Sequence, residues 1–553
     1  SPKNPKEYNA QIPDVLCHVI LKCLEKEREK RYQSAGELRA ELENIEKSIT
    51  TISEQAPVRT SRTSKEITVT FGLKKLRMPA YAIVVIAVIV TAILLLPKKE
   101  ILPPEPEKPS LAILPFEDLS PDKDHAFFCD GISESLINAL TKIQDLRIPA
   151  RTSSFSFKGK EQNIQEIGDK LNVQAVLEGS VQRAGDELRI TVKLINVSDE
   201  SVLWSEQYNK TLDDVFTIQD EITLSVVEGL KVKLSVGEKN GLTKRETTSA
   251  EAYQLYLQGR HFRWIENKEN FLKAKNYFEQ AIDKDPNYSS AYAGLTDTYM
   301  LLGLFSMMPS DEAARLAFES AKKALELDEI SSQAHTSMGV ILEVFNWDWQ
   351  GAKREFKRAI TLNPNHFDAH YEYGFLLNRL RRWDEAEIEL NKSLQIDPLS
   401  ERGHYYLGTI LIKKGEPEKA DKHYKIAEEL DPPSVTGDNA IETAQKQIKR
   451  DGRLPQRLNA LAYAYYDSGQ VIEARQIIKE MEQLYEESDI GNIAYFTART
   501  YLQLDEMDQF LNWLEKAYES HDPFLIVLNS SFDFEPVRQD PRFKSILKKM
   551  GFE

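Results

Sequence analysis

The sequence predicts a multidomain chain. It comprises a short helical remnant of a larger domain, one transmembrane helix, a mixed α/β domain and an all-α repeat solenoid. Three observations predict this. Residues 80–96 run without a single charge. Apolar residues alternate with polar ones from Leu188 to Leu194, next to segments of helical periodicity. A short motif centred on proline then recurs at a spacing of 34 residues. At 553 residues the chain also exceeds what one hydrophobic core accommodates.

Charge is unevenly placed. The formal net charge is -16, yet residues 1–78 hold 15 Lys/Arg against 11 Asp/Glu, so the remainder is strongly acidic. An acidic bulk argues against nucleic acid as a partner, because phosphate binding needs clustered positive charge. Only Cys17, Cys23 and Cys129 occur, with no CxxC pair, which argues against a zinc site or a disulfide framework.

Residues 1–48 read as two amphipathic helices. The first follows Pro13, with Val15, Leu16, Val19, Ile20, Cys23 and Leu24 on one face. The second opens at Ser34 with Glu37 three residues on, a capping box, and places Leu38, Leu42 and Ile45 together. Two such stripes need a partner surface. The stretch "IPDVLCHVILKCLEKEREKRYQSAGELRAEL" resembles the end of the C-lobe in bacterial, eukaryotic-like serine/threonine protein kinases. That resemblance implies a structural role for Arg31, whose family counterpart pairs with a buried glutamate. It also implies ATP and Mg in a part of the protein that precedes Ser1. The chain itself carries no GxGxxG, HRD or DFG motif, so it holds no kinase catalytic residues and no cofactor of its own. It reads as the C-terminal part of a longer polypeptide.

Residues 49–78 form a Ser/Thr-rich linker, with Thr60, Ser61, Thr63 and Ser64 beside basic residues. Residues 79–97 follow as the expected span; at 1.5 Å per residue the uncharged run covers roughly 25 Å. Arg59, Arg62, Lys65, Lys74, Lys75 and Arg77 precede it, against Lys98 and Lys99 after it. This bias predicts a single-pass inner or plasma membrane protein, with the N-terminal side cytoplasmic and residues beyond about 100 outside. Residues 98–109 form a proline-rich spacer.

Residues 110–235 are expected to form the α/β domain. "SLAILPF" reads as a buried strand and "LRIPA" as another. Asp130 opens a helix bearing Ile132, Leu136, Ile137, Leu140 and Ile143, and a further helix surrounds Ile164, Ile167 and Leu171. Ala184, Gly185 and Asp186 mark a hairpin turn, residues 202–208 a strand, and Ile218, Ile222, Val226, Leu230 and Leu234 a final helix. "LAILPFEDLS", "FFCDGISESLINAL", "ARTSSFSFKGK" and "LWSEQY" resemble the TolB amino-terminal-like (FlgO-like) domain. The hydroxyls and lysines of "SSFSFKGK" could bind an anion, and Asp118, Asp122, Asp124 and Asp130 are clustered acids without EF-hand spacing; a solvated loop is the favoured reading.

Residues 236–250 are a linker and residues 251–433 a repeat array. Pro286, Glu329, Pro364, Pro398 and Pro432 mark five units, and Ala274, Ala317, Ala352, Ala386 and Ala420 each lie 12 positions earlier. The array resembles the tetratricopeptide repeat family. Residues 434–553 continue as degenerate helical repeats, with "DPRFKSILKKMGF" as a cap. His335, His370 and His404 recur at one repeat position, which favours packing between helices over metal binding.

A solenoid presents its concave face through the first helix of each repeat. Offsets from Gly374 and Gly408 place Tyr371, Phe375, Asn378, Arg379, Tyr405, Thr409, Ile412 and Lys413 there. Tyrosines with a few cations suit an extended peptide. The leading expectation is therefore the partner-binding part of a membrane-anchored serine/threonine kinase, binding proteins or peptides through its repeats and open to homodimerisation. The alternative is a non-enzymatic membrane scaffold or interaction protein.

Overall fold

The computed structural model describes residues 19, 21–23 and 108–552, other than 123–124, 161–162, 243–244, 266, 432–439 and 488–491. Contacts divide the chain into two units, Ser1–Leu102 and Pro103–Glu553. In the first, the described residues 19 and 21–23 are helical.

The second unit begins with a five-stranded sheet. Its strands are β1 (Leu111–Ile113), β2 (Glu117–Asp118), β3 (Ala175–Ala184), β4 (Glu187–Asn196) and β5 (Val202–Thr211). The order is β1-β3-β4-β5, with β2 also on β3; β1 and β2 run parallel to β3, and the rest is antiparallel. Gly185 at φ +63° makes the tight turn between β3 and β4, as the hairpin expectation required. "LRIPA" makes only an isolated bridge, Arg147 to Ser110. Helices α1 (Ala126–Leu140), α2 (Arg151–Phe155), α3 (Ile164–Leu171), α4 (Val215–Gly229) and α5 (Val236–Leu242) complete this part. On β1, Leu111 and Ile113 face the α1/α4 core, while Ala112 packs with Ile167 and Leu171 of α3. The sheet is thus covered on both faces at β1 and the start of β3, while β4 alternates buried and exposed residues and β5 is largely exposed, a mixed α/β arrangement.

The solenoid follows as helix pairs: α6 (Ala250–Arg263) with α7 (Lys268–Lys284), α8 (Ser289–Leu304) with α9 (Ser310–Leu327), and α10 (Ser332–Val344) with α11 (Trp349–Leu362). Next come α12 (Phe367–Arg379) with α13 (Trp383–Ile396) and α14 (Glu401–Lys413) with α15 (Pro417–Leu430). The five repeat alanines are fully buried. A Cβ built on Gly339 would stand 2.6 Å from the Phe356 ring, and one on Gly408 would stand 2.8 Å from Tyr424. These small residues let the two helices of a repeat touch. Beyond α16 (Ala440–Asp451), α17 (Pro455–Asp467) pairs with α18 (Val471–Glu487) and α19 (Ile493–Gln503) with α20 (Met507–Glu519), before α21 (Pro541–Lys549).

The C-terminal helices fold back onto the turns of earlier repeats. Trp349 Nε1 donates to the Met550 carbonyl at 2.8 Å and its ring stacks on Phe552. Trp347 stacks on His521, and the Ser306 hydroxyl bonds Asn492. At the other end, Gly131 on α1 lies against Leu257 of α6, so the α/β part and the first repeat share one continuous core.

The fold class expected from the sequence is corrected on one point. Among the described residues no helix is long and apolar enough to cross a membrane. That finding stands against the transmembrane element of the fold class and the single-pass placement expected from the sequence, and it lends no support to a membrane helix as a point of attachment. The physical reason lies in the helices themselves. The longest described, α9, exposes Asp311, Glu312, Arg315, Glu319, Lys322, Lys323 and Glu326 around one apolar stripe. Residues 79–97, where the span was expected, lie outside the described residues. So do Arg31 and the two linkers at residues 49–78 and 98–107.

Candidate protein-binding groove

The groove is built on α12 and α14, first helices of adjacent repeats. Phe367, Tyr371 and Phe375 recur every four residues on α12, so they share one face. Tyr371 stands 5.5 Å from each of its two neighbours, ring centre to ring centre. Across on α14, Tyr406 meets Phe375 edge-on at 4.1 Å and Tyr371 at 6.3 Å. Tyr405 extends the row at 5.3 Å from Tyr406 and 5.7 Å from Tyr424. Such offset and edge-on contacts suit ring quadrupoles and hold the row rigid. Tyr405 remains 49 % exposed, and Tyr371 and Phe375 are half-buried.

The eight predicted groove residues are brought together, in two sets. Tyr371, Phe375, Tyr405, Thr409 and Ile412 present surface. Asn378, Arg379 and Lys413 are engaged by the chain itself. Arg379 is buried, pairs with the fully buried Glu343 of α10, and lies 4.8 Å over the Phe375 ring. Lys413 Nζ donates to Asn378 Oδ1 at 3.0 Å and to the Ser530 carbonyl, and sits 5.2 Å over Phe532. Burial, with Arg381 and Arg538 nearby, pushes the Lys413 ammonium down to about 8. Asn529 Nδ2 donates to the Arg379 carbonyl at 2.8 Å, and Arg381 pairs with Glu535. Residues 529–535 therefore close one end of the groove.

Sequence reasoning missed this wall, because more than 100 residues separate Lys413 from Ser530. It also missed Tyr406 and Glu343. The last was within reach: the offset that gives Asn378 from Gly374 gives Glu343 from Gly339.

Toward the α/β part, buried charge joins the two regions. Glu134 of α1 bridges Arg260 of α6 and Arg151 of α2. The Arg151 guanidinium lies 4.0 Å over Phe155 and 4.4 Å over Trp264. Asp397, at the end of α13, accepts the Ser153 N–H at 3.1 Å and the Ser153 hydroxyl. Asn365 Nδ2 reaches three carbonyls of the 141–146 loop, the nearest at 2.9 Å. The "SSFSFKGK" loop is thus committed to contacts within the chain: Ser153 to Asp397, and Lys158 to Asp130. Asp118 accepts the N–H groups of Ser120 and His125.

The recurrent histidines sit between the two helices of their repeats. Nδ1 of His335 meets Glu355 and Nδ1 of His370 meets Glu389, each at 2.6 Å. His404 meets His423 instead, at 2.9 Å. In all three, Nε2 bonds the carbonyl six residues earlier.

Comparison with known proteins finds family matches in three regions of the chain. Residues 348–405 match the tetratricopeptide repeat family, residues 437–517 the family of anaphase-promoting complex, cyclosome, subunit 3, and residues 107–224 the second domain of HilA/YgeH-like transcriptional regulators. Over 243 residues the chain is 34% identical to putative adenylate cyclase 3 of Rhizobium meliloti, covering 43% of this chain and 41% of that one. It is 24% identical over 284 residues to the transcriptional regulator HilA of Salmonella typhimurium, covering 50% of this chain and 48% of that one. The chain therefore spans less than half the length of either relative. Among solved structures, MamA aligns at 27% identity over 31% of this chain and 94% of its own, with a TM-score of 0.25. The chain carries tetratricopeptide repeats.

Proposed function

We propose that this chain is a non-catalytic interaction module that binds an extended protein segment in the groove between α12 and α14. The observation that carries the reading is the continuous row Tyr371–Phe375–Tyr406–Tyr405, rigidly packed yet open on one side. Aromatic anchors of this kind supply large contact area at low entropic cost. Two matched relatives are named for different activities, a cyclase and a transcriptional regulator.

Selection of random twelve-residue peptides displayed on phage, with the full chain as bait, tests this. Enriched peptides are expected to lose at least tenfold in affinity for a Tyr371→Ala/Tyr405→Ala chain, in line with hot-spot truncations of about 2 kcal/mol. No enrichment, or equal binding to that variant, would sink the reading.

The narrower reading attaches this module to a serine/threonine kinase part, with ATP and Mg bound there. It rests on the resemblance of residues 1–48, and none of the three matched family regions reaches that segment. HRD and DFG motifs upstream of Ser1 are what it requires.

A further inference from the structure

We propose that the free edge of the sheet is a dimer interface. There β5 pairs antiparallel with β5 of a second copy of this chain, and Glu206 of each strand stands opposite Lys210 of the other. The surface is separate from the groove, which is built on helices of the solenoid.

The strand β5 ends the sheet, bonded to β4 and to no other strand. It is 10 residues long, whereas β1 at the opposite end has 3 residues and is continued by the bridge from Ser110 to Arg147. The Leu212 N–H donates to the Asp186 carbonyl. Antiparallel ladders alternate, so from Trp204 to Thr211 the even-numbered residues turn their backbone groups toward β4 and the odd-numbered ones turn theirs away. Thr211 obeys this rule, since its N–H reaches the Asp214 carboxylate at 3.1 Å. Among the described residues nothing bonds the N–H groups of Ser205, Gln207 and Asn209, and all three residues are exposed. Such a row is a template for another strand.

The charges on the strand say which strand fits. Sharing the outward groups requires odd-numbered residues to stand opposite odd-numbered ones. A two-fold axis through Tyr208 meets this condition, with Gln207 opposite the second copy's Asn209. It also sets Glu206 opposite Lys210, twice by symmetry. An axis through Gln207 would put Glu206 against Tyr208, and one through Glu206 would bring two carboxylates face to face. Opposite charges across a strand pair stabilise it and like charges destabilise it, so the strand is complementary to itself in one register. The present contacts of both groups are long: Lys210 Nζ stands 3.4 Å from Glu221, and the Tyr208 hydroxyl 3.4 Å from Glu206. Pairing over about seven residues is small for an interface, which points to a micromolar dimer.

Sedimentation velocity of the full chain between about 1 and about 200 µM is expected to show a monomer–dimer equilibrium. Glu206→Lys and Lys210→Glu each bring like charges together and are expected to weaken it at least about tenfold. An equimolar mixture of the two variants is expected to dimerise as wild type does, and so is a chain carrying both changes; either recovery also shows that the variants fold. For the register, Gln207→Cys and Asn209→Cys chains are mixed under mild oxidation, with the wild-type chain as control. Hydrogen-bonded neighbours across a strand pair stand about 5.5 Å apart at Cα, within reach of a disulfide. The mixed disulfide is expected to exceed either self-disulfide. A chain monomeric throughout, a dimer indifferent to both charge changes, or a mixture and a doubly changed chain that both fail to associate would overturn the proposal. So would Gln207→Cys crosslinking chiefly to itself, which places the axis one residue away.

Discussion

Replacing Glu134 by glutamine should uncouple the α/β part from the first repeats. Glu134 is 8% exposed at its side chain and bridges Arg260, 11% exposed, and Arg151, 17% exposed. Glutamine keeps the shape but removes the charge that two neighbouring guanidiniums share. Burial already disfavours the charged Arg151, and Arg260 adds repulsion that Glu134 offsets. Removing one partner from a buried ion pair costs about 3–5 kcal/mol, because the other charge stays desolvated. This interface is helped by Asp397–Ser153 and Asn365, so the loss is local opening before global unfolding. A loss of about 3 kcal/mol multiplies the open population by roughly 150. Hydrogen exchange followed by mass spectrometry reads this directly, at the backbone amides of residues 150–155. Exchange there should quicken by about two orders of magnitude in Glu134→Gln, while amides in α18 to α20 keep their wild-type rates. Pairing the change with Arg260→Met should recover part of the loss, since Arg151 alone then lacks its carboxylate. Rates within twofold of wild type across residues 150–155 would refute the claim that this bridge holds the two parts together.

Three further outcomes are expected. Gly339→Ala should destabilise by about 1–3 kcal/mol, because the new methyl meets the Phe356 ring at 2.6 Å; thermal unfolding measures it, and Gly339→Ala/Phe356→Leu should restore part of the loss. His404 donates from Nε2 to the Pro398 carbonyl, so its Nδ1 accepts from His423, and protonating His404 breaks that bond. Burial holds both histidines below the ordinary value, with His404 adding to the effect on His423. Their contribution to stability is therefore complete above about pH 6.5 and is lost as pH falls through the lowered values. His423→Glu restores the His–carboxylate pair of the two preceding repeats, so its urea midpoint should fall less than that of wild type between about pH 8 and about pH 5. Lys413→Met should loosen the groove's closing segment by removing bonds to Asn378 and the Ser530 carbonyl; hydrogen bonds to charged groups contribute about 1.5–3 kcal/mol, so exchange at residues 528–531 should quicken at least tenfold, and unchanged rates would show that segment is held otherwise.

Much of the fold was legible because local physics dictates it. The proline period, the buried alanines and Gly374 and Gly408 mark where helices touch, and contacts between neighbouring repeats repeat the same geometry. The β3–β4 hairpin was legible because Gly185 and strict alternation both point to it. "LRIPA" misled because its apolar residues, Leu146 and Ile148, are buried by loop packing without a ladder partner. The uncharged run at residues 80–96 invited a membrane reading from composition alone, and that run lies outside the described residues. The groove was half legible. Repeat offsets found the residues that line it, since helical periodicity fixes which positions share a face. They did not find that Arg379 and Lys413 are already engaged, because their partners come from other repeats and from the C-terminal segment.

Those engagements decide how long a bound segment is. Toward the first repeat, Arg260 and Arg263 are held by Glu134 and Asp297. At the turn end, Arg379 and Lys413 hold residues 529 and 530. What stays open is the face of α12 and α14 between these two closures. Packed helices lie about 8–10 Å apart, so two repeats offer roughly 20 Å of groove. An extended chain advances about 3.3 Å per residue, which fits about six residues. A footprint that short cannot draw its affinity from length. It must come from a few well-placed contacts, and the molecule offers them as a rigid row of rings. A recognition site restricted in this way reads a short motif rather than a broad surface, and the α/β part and the C-terminal helices on either side are what restrict it.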